Sequence, residues 1–222
     1  IEIKRLKKVL EKFKKKYKKI SLSLDTRKTE IMVQGIKFGA DLINDVSGFE
    51  YDRNSLIIAR NNKVSKVLHH MKGTPDTMQL KPSYKNVLLD IYDFFENSLK
   101  TKFKDKKVIL DPGIGFGKTL KHNLTLISKI SLFHSLGLPL LVGTSRKKFI
   151  NQISGKYDSK KRLGGTIASV VFLLSQGVQI FRVHDVNEIN QGILVFNKII
   201  LNKWEINILE QMELEELSIK VI

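Results

Sequence analysis

Apolar positions along the chain change their period repeatedly, and the changes mark out a recurring unit. In residues 1–19, Ile3, Leu6, Val9, Leu10, Phe13 and Tyr17 recur at helical spacing with lysines on the other face, which predicts an amphipathic helix. The short apolar run Ile20–Leu24 follows and ends in Asp25-Thr26-Arg27. A second helix, about Thr29–Phe38, stops at Gly39 and leads to Leu42-Ile43, ending in Asn44-Asp45. Lys66–Leu68 ends in His69-His70-Met71-Lys72-Gly73. Beyond a loop with Pro75 and Pro82, a helix of about Tyr84–Thr101 precedes Val108–Leu110, which ends in Asp111-Pro112-Gly113. A helix around Asn123–Ser135 leads to Leu140–Val142 and then to Gly143-Thr144-Ser145-Arg146. A buried helix over Thr166–Ser175 leads to Val178–Phe181 and Arg182-Val183-His184-Asp185, before a helix of about Val186–Leu201.

These six strand–helix units predict an α/β fold with a parallel sheet, since each strand is short, apolar and without clean alternation. Strands alternating with helices give either a doubly wound sheet or a barrel. Every strand here ends in a charged or hydrogen-bonding cluster. A TIM barrel gathers all such ends on one face, whereas a doubly wound sheet needs them only beside its switch point. The pattern predicts the (β/α)8 barrel, with about six of eight strands in this chain, as a single domain over residues 1–222. Residues 202–222 form a mixed, acidic tail, read as one more helix or an interface element.

Composition narrows the chemistry. There is no cysteine, which removes thiol catalysis, disulfides and thiolate metal sites. No apolar run approaches the roughly 20 residues needed to span a bilayer, and the lysine-rich start lacks the apolar core of a signal peptide, so a cytoplasmic location is expected. The net charge of +17 is spread over scattered lysine runs (Lys14–Lys16, Lys18–Lys19, Lys104–Lys107, Lys160–Arg162) without a nucleic-acid reading motif. That spread reads as solvated helix faces, and its field favours small anionic substrates. Neither a nucleic-acid nor a membrane partner is expected.

The stretch from Asp111 to Thr119 invites a phosphate-loop reading that fails, because Pro112 stands where the first glycine belongs. Its glycines also miss the dinucleotide spacing. Asp25, Asn44 and Asp111 each end a strand. Singly, each suits a helix N-cap; together they offer the donors and acceptors that fit a flat amino-pyrimidinone heterocycle. Ser145-Arg146-Lys147-Lys148 and Arg182-Val183-His184-Asp185 bring cations suited to phosphate or pyrophosphate, with surface ion pairing as the plainer role. Alternation would put Arg182 and His184 on one side of their strand, where they could share an anion. Adjacent His69 and His70 point to opposite faces and make a poor chelating pair, so no metal site built from protein ligands is expected; His122 and His134 read as structural or exposed.

Taken in order, Leu24-Asp25-Thr26, Ile43–Gly48, His70–Pro75, Met78-Gln79, Leu110–Lys118, His122-Asn123, Ser145–Lys147, Arg162–Thr166 and Arg182–Asp185 resemble the dihydropteroate synthase family from about Ile20 to Ile199. The resemblance implies a TIM barrel, often a homodimer. It also implies the reaction: 4-aminobenzoate displaces pyrophosphate from (7,8-dihydropterin-6-yl)methyl diphosphate to form 7,8-dihydropteroate, with Mg2+ on the pyrophosphate and sulfonamides competing for the aminobenzoate site. By the same resemblance Asp25, Asn44 and Asp111 bind pterin, Lys147 bonds to it and closes the pocket, and Phe116 and Gly143 line it. Arg182 and His184 hold pyrophosphate, Ser145 lies near aminobenzoate, and the catalytic set is Lys147, Arg182 and His184.

The departures are as definite. The chain starts at Ile1, and the family's first two strands, with the asparagine expected to hold Mg2+, are not in it, so an N-terminally incomplete chain is expected. Lys148 stands where many relatives carry serine, and His69 where methionine is common. A pterin-dependent methyltransferase shares a similar barrel and trio but needs no pyrophosphate cations. A noncatalytic pterin-binding segment is the other alternative.

Overall fold

The computed structural model describes residues 2–103, 107–155, 158–204 and 220–221. Helix α1 (Glu2–Lys16) exposes Lys7, Lys8, Lys12, Lys15 and Lys16 and buries Leu10, packing on α2 (Thr29–Lys37), with Lys14 Nζ bonded to Asp41 at 2.8 Å. Val9, which the spacing puts on the apolar face, is 64% exposed. Between these helices lies β1 (Ser23–Asp25), followed by β2 (Leu42–Asp45), α3 (Ser55–Asn61), β3 (Ser65–His69) and α4 (Val87–Thr101). Asn86 caps α4 by accepting from the Leu88 and Leu89 amides.

After β4 (Val108–Asp111) come α5 (Leu120–Ser128) and a separate 3-10 helix, Ile130–Leu136. The helix expected over Asn123–Ser135 therefore breaks at Lys129. Then follow β5 (Leu141–Val142), α6 (Lys148–Ser154), a 3-10 turn at Ser159–Arg162, α7 (Leu163–Ser175), β6 (Ile180–Phe181), α8 (Val186–Trp204) and β7 (Lys220–Val221). Helices α3 and α6, each of seven residues, escape the sequence reading because they are too short to show a period. The expected tail is divided: α8 runs to Trp204, β7 pairs with β6, and residues 205–219, like 104–106 of the lysine run, lie outside the described residues. No described helix is long and apolar enough to cross a membrane.

The strands are all parallel and in chain order. β1-β2-β3-β4 form one ladder, β5-β6-β7 another, and a Leu110–Leu140 bridge joins them. Alternate side chains go to two cores. Leu24, Ile43, Leu68, Val108, Leu110, Val142 and Phe181 pack outward under the helices, while Leu42, Val67, Leu141 and Ile180, with Ile109, pack against one another. Side chains from β2, β3, β4, β5 and β6 can meet in one inner cluster only if the sheet curls around it. This is barrel curvature, as the strand endings predict. Among the described residues β1 and β7 share no ladder, so the curled sheet stays open there.

Candidate active site

Two residues beyond Ser23, Leu42, Val67, Ile109, Leu141 and Ile180 stand Asp25, Asn44, His69, Asp111, Gly143 and Arg182, at the C-terminal ends of β1 to β6. Asn44, His69 and Asp111 are almost wholly buried and make a floor. Asp25, Phe116, Lys147, Arg182 and His184 stand at least partly exposed around it. Asn44 Nδ2 donates to Asp25 Oδ2 at 3.2 Å, and Arg182 Nη1 donates to the same oxygen at 3.3 Å. Desolvation lifts the Asp25 carboxyl above its ordinary range, against the pull of Arg182 and Asn44. Asn44 Oδ1 and Arg182 Nε are buried without a hydrogen-bond partner among the described residues, an acceptor and a donor left over. None of the trio caps a helix: α2 follows Lys28, α3 follows Asn54 and α5 follows Thr119. The capping alternative is set aside.

The loop after β4 is fixed from both sides. Asp111 Oδ1 accepts from the Gly113 amide at 2.8 Å; Gly113 has φ 69°, and a Cβ there would collide with the His70 carbonyl. Asn123 Oδ1 accepts from the Gly115 amide at 2.7 Å, and Gln79 Nε2 donates to the Gly115 carbonyl at 2.7 Å. Thr119 and His122 close a capping box at the start of α5. Lys118, which a phosphate loop would aim at a ligand, is buried instead. Its Nζ lies 2.9 Å from the Phe116 carbonyl and 3.1 Å from His70 Nδ1, and burial pulls its pKa down to about 7.

Lys147 comes from the other side of the site. Its Nζ donates to the Ile114 carbonyl and sits 4.3 Å from the Phe116 ring centroid, a cation–π contact. Burial lowers its pKa to about 8, partly countered by Asp111 and reinforced by Arg182. Phe116 in turn meets His69 edge-on at 4.5 Å between centroids. Lys147 points inward because Arg146 before it adopts φ 58°, turning the chain, and Arg146 forks outward onto both Asp185 oxygens. Along the chain Arg146 stands only within a cationic run, and its partner Asp185 is 39 residues away.

His184 and Arg182 do not share a side as alternation suggests, because β6 ends at Phe181. Arg182 turns to Asp25, whereas His184 Nδ1 lies 2.8 Å from Ser145 Oγ, and the His184 amide donates to that oxygen at 3.2 Å. The hydroxyl thus accepts the amide and shares a second hydrogen bond with Nδ1, which fixes the orientation of the ring. Gly143 follows β5, and a Cβ there would lie 3.6 Å from Arg182 Nε, in van der Waals contact. The two histidines at the end of β3 do face apart: His69 toward Val46 and Asp111, His70 toward Lys118, Phe94 and Tyr84. His122 and His134 serve structure, in the capping box and on the Gln176 carbonyl.

Comparison with known proteins adds a second line. A family described as pterin binding enzyme matches residues 1–184. Over 176 residues the chain is 38% identical to the dihydropteroate synthase of Synechocystis sp. (strain ATCC 27184 / PCC 6803 / Kazusa), covering 78% of this chain and 61% of that protein. It is 37% identical over 191 residues to that of Escherichia coli (strain K12), covering 84% and 67%. Among solved structures, the Yersinia pestis dihydropteroate synthase with a sulfonamide drug complex superposes with a TM-score of 0.86 at 34% identity, covering 90% of this chain and 74% of that one. The Thermus thermophilus enzyme in complex with 4-aminobenzoate gives 0.75 at 36% identity, covering 81% and 71%. The chain thus spans about three fifths of the length of the first of these relatives.

Proposed function

The chain belongs to the dihydropteroate synthase family of pterin-binding enzymes, and on that premise we propose that it condenses (7,8-dihydropterin-6-yl)methyl diphosphate with 4-aminobenzoate, releasing pyrophosphate and forming 7,8-dihydropteroate. One observation carries the reading: a buried amide and carboxylate floor, Asn44 and Asp111, meets the cations of Lys147 and Arg182, with His184 beside them, at one end of the curled sheet. A pterin ring presents N–H donors to the floor. The Asn44 Oδ1 and Arg182 Nε valences left open are of the kind a ligand completes.

In this reading the aminobenzoate nitrogen attacks the methylene carbon, the carbon–oxygen bond to the diphosphate breaks, and the attacking amine then loses a proton. The nucleophile is already neutral, so no strong base is needed, and the main demand is stabilisation of charge on the departing pyrophosphate. Arg182 and His184 supply it, Lys147 orders the ring against Phe116, and Ser145 holds the His184 ring beside the aminobenzoate. The overall charge of +17 draws in the anionic substrate. Among the described residues no group of three or more His, Asp or Glu side chains is arranged to hold a metal, and Mg2+ would enter with the pyrophosphate whose charge it neutralises. We further place the protein in the cytoplasm as a homodimer, joined through the apolar groove between α7 and α8, where Val195 and Ile199 are exposed.

The test is pyrophosphate release by the purified chain given the pterin diphosphate, Mg2+ and 4-aminobenzoate. Release that requires aminobenzoate, and that both a sulfonamide and Asp111→Ala suppress, supports the synthase. Pterin binding without release favours the noncatalytic alternative, and a folded sample that shows neither overturns the reading.

A further inference from the structure

His69 is the one member of the floor to which the reaction above gives no task. It is completely buried, and its Nδ1 lies 2.9 Å from the Val46 carbonyl. A carbonyl oxygen only accepts, so Nδ1 carries the proton and Nε2 of the neutral ring is a lone-pair acceptor. That Nε2 has no hydrogen-bond partner among the described residues, and it faces Asp111 Oδ2 at 3.8 Å. A buried ring acceptor without a donor, set opposite a carboxylate oxygen, is an incomplete arrangement.

We propose that His69 is a further pterin-binding residue of this chain: its Nε2 and Asp111 Oδ2 form a paired acceptor that takes the two hydrogens of a ligand amino group. A nitrogen set to one side of the 3.8 Å line between them can lie about 2.9 Å from both, an ordinary hydrogen-bond length. The inference rests on the pterin reading of the site and deepens it, since it assigns recognition of the exocyclic amine to a specific pair. Burial above all holds the ring in the accepting form. Burial takes the His69 pKa down to about 4, and Lys147 and Lys118 add to that effect against the opposing pull of Asp111. Phe116 lies edge-on across His69 and Lys147 lies over Phe116, so the ligand reaches the pair by displacing the lysine from the Ile114 carbonyl.

Calorimetric binding of 6-hydroxymethyl-7,8-dihydropterin and of its 2-desamino analogue, to wild type, His69→Met and His69→Asn, tests this. The asparagine amide can keep the Val46 bond, so that variant guards against loss of the fold. Expected is a loss of about tenfold in affinity for the pterin in both variants, the worth of one buried hydrogen bond, and no change for the desamino analogue. Unchanged pterin affinity, or an equal loss for the two ligands, overturns the assignment while leaving the pterin site standing. Failure of the wild type to bind either ligand removes the pterin reading itself, and this inference with it.

Discussion

Arg182 Nη1 lies 3.3 Å from Asp25 Oδ2 although the two residues are 157 positions apart in the chain. The contact joins the tip of β6 to the tip of β1, and it exists because the sheet between them curls around Leu42, Val67, Ile109, Leu141 and Ile180. An ion pair this open to solvent contributes only about 0–1 kcal/mol to stability. Its value lies in where it holds the guanidinium, with Nε still unpartnered at the candidate pyrophosphate site.

Replacing Arg182 should therefore separate stability from activity. Arg182→Gln is expected to shift the thermal midpoint little and to lower kcat/KM by about a hundredfold, the scale for a lost charge-stabilising donor. Calorimetry and pyrophosphate release measure the two effects. A variant that unfolds early while keeping its rate would show that the pair is structural.

Asp111→Asn keeps an acceptor for the Gly113 amide but loses the carboxylate charge. Pterin affinity should fall by about ten- to a hundredfold, since bonds to a charged acceptor exceed neutral ones. Asp25→Asn should cost less, because Asp25 stands exposed and already shares its oxygen with Asn44 and Arg182. Titration calorimetry of the two variants would reveal a reversed order, which would move the recognition centre to β1.

Lys147 loses its charge above about pH 8 because burial depresses its pKa. A lysine is cationic below its pKa, so kcat/KM with the anionic substrate should decline as pH rises through that value. Lys147→Arg should move the alkaline limb upward, and Lys147→Met should abolish it while lowering the rate throughout. A limb unchanged in Lys147→Met would belong to another group.

Acid stability depends on the adjacent histidines. Burial holds His69 at about pKa 4 and His70 at about 2, both below the ordinary 6.5 of an unfolded chain. The unfolded state then binds more protons from pH 6.5 down to 4, so stability is full above 6.5 and drops as the pH falls, by up to about 1.4 kcal/mol per pH unit for each histidine. Urea midpoints at pH 7.5 and pH 5 should differ, and His70→Gln should narrow the gap. A flat profile in the wild type would mean that both rings take up protons in the fold.

Much of this was legible in the chain itself. Each strand appears where a short apolar run ends in a polar cluster, because a residue pair such as Leu42-Ile43 faces a core on both sides while Asn44 reaches the sheet's open end. The same logic puts Asp25, Asn44 and Asp111 at the ends of three strands, where the structure has them. Short helices such as α6, and the break at Lys129, carried no period long enough to read. Local alternation also misjudged Arg182 and His184, since it holds only while the strand lasts and β6 stops at Phe181.

The sequence by itself determined the parallel α/β order, the polar strand ends and the family resemblance, because these follow from local period and composition. Only the tertiary structure decided which polar atoms meet: Arg182 with Asp25, Ser145 with His184, Arg146 with Asp185, Lys118 with His70, and the unpartnered His69 Nε2 opposite Asp111. The physical reason is distance along the chain. Those partners come from different strand ends, brought together by the curl of the sheet around its inner core, and no local pattern records which neighbour a side chain will face.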